Sequence, residues 1–107
     1  MARDLAEIET IASRTLSLLR KHIPVTEAYL FGSQIEGAPD EHSDIDIAAF
    51  SPAADAMDVA TRVALVVDVE RQVGASIELH LYGASQYADA RPTNFFGYLR
   101  THGKPIS

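Results

Sequence analysis

The stretch from Gly32 to Asp46 constrains the fold of this chain more than any other part of its sequence. Gly32 and Ser33 end an apolar run, and ten small, polar and turn-forming residues separate them from Asp44. Asp44 and Asp46 then stand two apart in a second apolar run. Residues two apart in a strand point to the same face, so both carboxylates would share one face. The stretch therefore predicts two strands joined by a turn, with two anionic side chains beside that turn.

This arrangement predicts a site for a cation and a phosphate group. Two carboxylates this close repel each other, and one takes up a proton unless a cation intervenes. Mg²⁺ prefers carboxylate oxygens and completes its octahedron with phosphates, as in a nucleoside triphosphate. Gly32 would let backbone N–H groups approach a phosphate, and the Ser33 hydroxyl would add a hydrogen bond. Taken singly, each motif also has a plain structural interpretation, as a strand end or as the exposed face of an edge strand.

Apolar periodicity and end signals predict the remaining elements. The middle helix is expected to start at Ser51-Pro52 and to end at Gly74. Its predicted buried face consists of Ala56, Val59/Ala60, Val63, Val66/Val67 and Val73. Strands are predicted over 25–31, 44–50 and 75–82, and helices over about 4–22, 52–73, 84–90 and 93–102. This order predicts an α+β fold, with a small mixed sheet of about three strands and helices packed mainly on one face.

Glu78 is the candidate for a third carboxylate. On the third predicted strand, Ile77, Leu79 and Leu81 face one way, whereas Glu78 and His80 face the other. Phosphoryl chemistry commonly needs one more anion, to hold a metal ion or to accept the proton of an attacking hydroxyl. An exposed strand position explains Glu78 equally well. His80 shares this face and is interpreted as a solvent-facing histidine.

Composition limits the class of protein. The 107 residues predict a single domain over 1–107, and no stretch reaches the roughly 20 apolar residues of a membrane span. The absence of cysteine fits a cytoplasmic location. The formal net charge of −6 argues against nucleic acid as a direct partner or acceptor. It favours a small molecule, a metal ion or a protein as the partner.

Together these features resemble the nucleotidyltransferase fold of the DNA polymerase β superfamily. The resemblance covers roughly residues 5–105, and the short length is similar to that of the minimal nucleotidyltransferases, many of which are antitoxin partners of HEPN-domain toxins. Its main signature is the run Leu30-Phe31-Gly32-Ser33-x3-Gly37-x5-Ser43-Asp44-Ile45-Asp46-Ile47. A second similarity is the tail Asn94-Phe95-Phe96-Gly97-Tyr98-Leu99-Arg100-Thr101-His102-Gly103.

The resemblance implies a role for each matching residue. Gly32 and Ser33 would bind the phosphates, and Asp44 and Asp46 would bind Mg²⁺. Glu78 falls where the third catalytic and metal-binding carboxylate is expected. The implied reaction transfers a nucleoside monophosphate, AMP from ATP, to a hydroxyl group, with release of pyrophosphate.

The resemblance also implies a partner protein as the acceptor, such as a HEPN-type toxin, in a type VII-like antitoxin role. Two alternatives stay open. The chain is a subunit of a small-molecule nucleotidyltransferase acting on an antibiotic or sugar, or it is a catalytically weak antitoxin that acts by binding alone. Gln34, which stands where these proteins often carry a basic residue, and the small number of basic residues keep the second alternative open, whereas the intact carboxylates count against it. The sequence leaves the oligomeric state open.

Overall fold

The computed structural model describes residues 4–32, 44–91 and 93–107, and the first element in it is a capped helix. Helix α1, Leu5–Arg20, begins at Asp4, whose carboxylate accepts a hydrogen bond from the backbone N–H of Glu7 at 2.8 Å. Its buried positions recur every three or four residues: Ile8, Ala12, Thr15, Leu16 and Leu19. This pattern places one apolar stripe against the core, as the sequence predicts.

Four strands form one mixed sheet among the described residues: β1 (Glu27–Phe31), β2 (Ile45–Ser51), β3 (Ile77–Gly83) and β4 (Lys104–Pro105). Their order in the sheet is β3-β2-β1-β4. Strand β1 is antiparallel to both β2 and β4, whereas β2 and β3 are parallel. The mixed sheet confirms the predicted fold class. The strand β4, which is only two residues long, has no counterpart in the prediction.

The segment after β2 differs from the single long helix that the sequence predicts. Ser51 does cap a helical turn, but this is a short 3-10 helix, Pro52–Ala56. Helix α2, Val59–Val73, begins separately at Asp58, which accepts a hydrogen bond from the Thr61 N–H at 2.7 Å. Gly74 ends α2 with a φ of 74°, the left-handed conformation predicted for this position.

The predicted buried face of α2 is wrong for most of its positions. Val59, Val63 and Val67 are 79%, 53% and 37% exposed, and Ala56 and Ala60 are also exposed. The prediction is confirmed at Val73, which is buried, and at Val66, which packs partly buried against the core, whereas Val69, which was not predicted, is fully buried. The inward side of the helix also carries two polar residues, Arg62 and Glu70, because the edge of β3 offers both of them hydrogen-bond partners. Valines occur on several sides of α2, so its sequence has no single apolar stripe that identifies the buried face.

The two faces of the sheet have different covers. Helices α1 and α2 pack on one face, around a core that includes Leu30, Ile47 and Leu79. On the other face, Tyr29, Phe50 and Leu99 form a second cluster with helix α4, Phe95–His102, which starts at Asn94. Helix α3, Ala84–Ala88, precedes it. None of the helices in the described part of the chain is long and apolar enough to span a membrane.

Candidate functional site

Parallel pairing of β2 with β3 brings the predicted carboxylates together. Asp46 is the register partner of Glu78, so both side chains point to the same face of the sheet. This is the face that α1 and α2 leave uncovered, since Ile45, Ile47 and Leu79 point into the core on the opposite side. On its other flank Asp46 pairs with Phe31 at the end of β1. The site therefore lies at one corner of the sheet, where β1 ends and β2 begins.

Asp46, Glu78 and His80 form a cluster that could hold a metal ion. One donor atom from each of them lies within 4.8 Å of the other two. The Nε2 atom of His80 is 3.5 Å from Oδ1 of Asp46 and 3.7 Å from Oε1 of Glu78. Their side chains are 22% exposed for Asp46, 28% for His80 and 57% for Glu78, so the cluster opens to solvent on the Glu78 side.

The interpretation of His80 as a solvent-facing residue is wrong. Its Nε2 atom is buried between the two carboxylates and has no hydrogen-bond partner in residues 4–32, 44–91 and 93–107. Two aromatic rings flank the imidazole, with ring centroids 5.2 Å away at Phe31 and 6.4 Å away at Tyr82. One feature of the sequence does indicate that His80 belongs to the cluster: it lies two residues after Glu78, on the same strand face.

The pKa of Tyr82 is affected by the negative charge at this corner. Burial raises the pKa of the Tyr82 phenol, and the negative charge of Glu78 raises it further. Both effects disfavour ionisation of the phenol beside the carboxylates. The phenol therefore stays protonated near neutral pH, and Tyr82 contributes an uncharged ring to the wall of the site.

Gly32 lies directly against the carboxylate of Asp46. Its φ is +84°, and a Cβ atom at this position would overlap Oδ2 of Asp46. The positive φ favours glycine here, and any side chain at this position would also displace the Asp46 carboxylate. Ser33 and Gln34 lie outside the described residues, so the phosphate contact expected of Ser33 stays a prediction.

Asp44 lies immediately before β2 and is exposed. It is not one of the three residues whose donor atoms cluster in the described part of the chain. The structure thus brings Asp46 and Glu78 together, and adds His80. The role predicted for Asp44 as a metal ligand stays a prediction.

A separate cleft of about 360 Å³ lies beside α4, and its chemistry differs from that of the cluster. It is lined by Ala90, Arg91, Gly97, Arg100 and Thr101. Arg91 in this cleft pairs with Asp89 at 3.4 Å. The described residues that line the cleft include two arginines and no carboxylate, so the candidate metal site remains the corner formed by Gly32, Asp46 and Glu78.

Comparison with known proteins identifies the family. The sequence model of the family described as polymerase beta, nucleotidyltransferase matches residues 14–89, most of the chain. The chain therefore belongs to the polymerase beta nucleotidyltransferase family. This match confirms the resemblance drawn from the Gly32–Asp46 stretch. No curated protein matches the chain.

Solved structures similar to this chain include nucleotidyltransferases from toxin–antitoxin complexes. One is a toxin–antitoxin with AMP-PNP, at 26% identity over 90% of this chain and 72% of that chain, with a TM-score of 0.64. A second is the MntA–HepT toxin–antitoxin, at 23% identity over 92% and 70% of the two chains, with a TM-score of 0.59. A third is the complex of tri-AMPylated Shewanella oneidensis HEPN toxin with MNT antitoxin, at 21% identity over 94% and 71%, with a TM-score of 0.56. These similarities confirm the nucleotidyltransferase fold.

Proposed function

We propose that this chain is a Mg²⁺-dependent nucleotidyltransferase that transfers AMP from ATP to a hydroxyl of a partner protein, in the manner of an antitoxin acting on a HEPN-type toxin. The observation that carries the proposal is the convergence of Asp46 and Glu78 on one corner of the sheet, against the backbone of Gly32. Membership of the nucleotidyltransferase family supports the reaction class.

The residues at this corner fit a divalent cation. Asp46 and Glu78 offer carboxylate oxygens, and the exposed Asp44 precedes Asp46 by two residues at the open end of β2. These three residues would hold the metal ion, since carboxylates are the ligands that Mg²⁺ prefers in proteins. When bound, the cation would offset the negative charge that develops on the phosphates during transfer.

The chain's own groups account for the other requirements of the transfer. A hydroxyl oxygen of the acceptor forms a bond to the α-phosphorus of ATP, and the bond to the leaving pyrophosphate breaks. Glu78, whose side chain is 57% exposed, is placed to orient that hydroxyl and to accept its proton. Gly32 and Ser33 would bind the phosphates through backbone N–H groups and the serine hydroxyl.

Two observations support a protein as the acceptor. Solved structures with the same fold are parts of toxin–antitoxin complexes, and one of those complexes contains AMP-PNP. The formal charge of −6 disfavours a nucleic-acid acceptor, because phosphate backbones are bound by basic surfaces. An acceptor protein would supply its own contact surface and bring the attacking hydroxyl to Glu78.

Calorimetry with ATP and Mg²⁺ tests this proposal. We expect wild-type protein to bind the two together, and Asp44→Asn and Asp46→Asn each to abolish the binding heat. Asp68→Asn is the matched control, since Asp68 is exposed on α2 and accepts a hydrogen bond from Gln72 on the same helix. Absence of both binding heat and a thermal shift in the wild-type protein would favour a module that acts by contact alone.

A further inference from the structure

The imidazole of His80 is the one side chain of the cluster that the nucleotidyl transfer described above does not use. Its Nε2 atom is buried and has no hydrogen-bond partner among the described residues, and a polar atom in that condition calls for a physical reason. Carboxylate oxygens of Asp46 and Glu78 lie 3.5 and 3.7 Å from it. Both separations exceed the 2.7–3.2 Å usual for an N–H···O hydrogen bond, so a direct bond does not satisfy this atom.

The same separations suit three ligands of one metal ion. With metal–ligand bonds of about 2.1 Å, neighbouring ligand atoms of an octahedron lie about 3.0 Å apart and opposite ones about 4.2 Å apart. The distances of 3.5 and 3.7 Å fall between these two values. A cation between the three groups would give the Nε2 atom the partner that it lacks.

The surroundings hold the imidazole in this orientation. The ring packs between Phe31 and Tyr82, and its plane lies within 10° of the Tyr82 ring. Strand β3 itself is held from outside, where Glu70 accepts a hydrogen bond from the Leu79 N–H at 3.0 Å. A nitrogen donor fixed in this way loses little conformational freedom when it binds a metal ion.

We infer that His80 is a metal ligand beside Asp46 and Glu78, and that this donor set selects a first-row transition cation such as Mn²⁺ over Mg²⁺. Imidazole nitrogen is a common ligand of transition metals, whereas Mg²⁺ takes oxygen ligands and keeps its waters. The inference rests on the proposed nucleotidyl transfer only for the location of the metal, and it changes the preferred cation there: Mg²⁺ would still bind this site, but more weakly than a transition cation.

Electron paramagnetic resonance of the full chain with Mn²⁺ alone, without nucleotide, tests this inference. We expect electron spin echo envelope modulation from a directly bound nitrogen, and we expect the pattern to change when histidine is labelled with ¹⁵N. In His80→Gln, which keeps a side chain of similar length with an oxygen donor, the nitrogen signal should vanish. Its Mn²⁺ affinity should fall at least about tenfold, while its Mg²⁺ affinity falls less or rises.

His22→Gln is the matched control, because His22 is exposed just after α1, and it should behave as wild type. Bound Mn²⁺ without nitrogen modulation, or no bound Mn²⁺, would overturn the inference. The wild-type spectrum decides this even where His80→Gln does not fold. If the chain transfers AMP but shows no nitrogen coupling, only the assignment of His80 as a metal ligand is wrong. If it shows nitrogen coupling but transfers no AMP, only the proposed function is wrong.

Discussion

Gly32 lies so close to Asp46 that a Cβ atom on Gly32 would overlap a carboxylate oxygen of the aspartate. The contact joins the end of β1 to the start of β2, across the antiparallel pair in which Phe31 is the register partner of Asp46. It places backbone and carboxylate against each other at the corner where phosphate and metal are proposed to meet. Glycine is favoured at position 32 on two separate grounds: its φ is positive, and a side chain there would displace the Asp46 carboxylate.

Alanine at position 32 separates these two constraints when it is compared with alanine at position 74. Gly74 has a φ of +74° but nothing within 4 Å of a Cβ, so Gly74→Ala introduces backbone strain alone. We expect each substitution to lower the free energy of unfolding by about 1–2 kcal/mol in urea denaturation. Only Gly32→Ala should also weaken divalent-cation binding, because it displaces Asp46. Unchanged cation affinity in Gly32→Ala would contradict the contact.

The outer edge of β3 is closed by side chains of α2. Glu70 accepts a hydrogen bond from the Leu79 N–H at 3.0 Å, and Arg62 donates to the Leu81 carbonyl at 3.4 Å and to the Ala54 carbonyl at 2.7 Å. Glu70→Ala leaves the Leu79 N–H without this partner and should cost about 1 kcal/mol of unfolding free energy. It should also promote self-association, measured by light scattering, because an open strand edge is a template for pairing.

Glu70→Gln is the control for this edge, since an amide oxygen still accepts the Leu79 hydrogen bond. We expect its stability to lie between those of the wild-type protein and Glu70→Ala. Equal urea midpoints and equal scattering for all three proteins would show that Glu70 does not protect the edge.

The phenol pair Tyr29 and Tyr87 makes stability depend on alkaline pH. Burial, followed by the 2.9 Å hydrogen bond with Tyr87, raises the pKa of Tyr29 from 10.0 to about 12. The folded state therefore holds its proton more tightly, so this stabilisation is complete below pH 10 and is lost as pH rises from 10 to 12. The loss should be on the order of 2 kcal/mol. Denaturation at a series of pH values should show a shallower decline for Tyr29→Phe. Parallel curves for the two proteins would contradict the assignment.

Glu78→Gln tests the role proposed for the third carboxylate. The amide keeps the size of the side chain but no longer accepts a proton or carries charge. We expect AMP transfer to slow by about 10²- to 10⁴-fold, the usual contribution of a general base. Transfer rates from single-turnover measurements would check this. A wild-type rate in Glu78→Gln would remove Glu78 from the site.

The sequence predicts the fold well wherever a strong periodic pattern is bounded by recognisable start and stop residues. Helix α1 starts at Asp4, α2 ends at Gly74, and the alternation in β3 places Glu78 on the open face. These features depend on local chemistry, namely capping, positive φ and the two-residue period of a strand. The sequence therefore carries the elements that position the site.

The features that the sequence does not predict depend on contacts between distant parts of the chain. Val59 and Val63 are exposed because the inward face of α2 is chosen by its fit to β3, where Arg62 and Glu70 bond to the strand edge. His80 points at Asp46 only because β2 and β3 pair in parallel with Asp46 opposite Glu78. Strand register and helix rotation are properties of the assembled sheet, and no local pattern reports them.

Nucleotidyl transfer at the corner formed by Gly32, Asp46 and Glu78 is best tested by supplying the purified chain with a divalent cation, host-cell proteins and ATP labelled either at the α- or at the γ-phosphate. We expect an acceptor protein to gain label from α-labelled ATP but not from γ-labelled ATP, and Asp46→Asn to abolish the gain. Transfer of γ-label by the wild-type chain but not by Asp46→Asn, or no transfer by a wild-type chain that binds ATP, would overturn the proposed function.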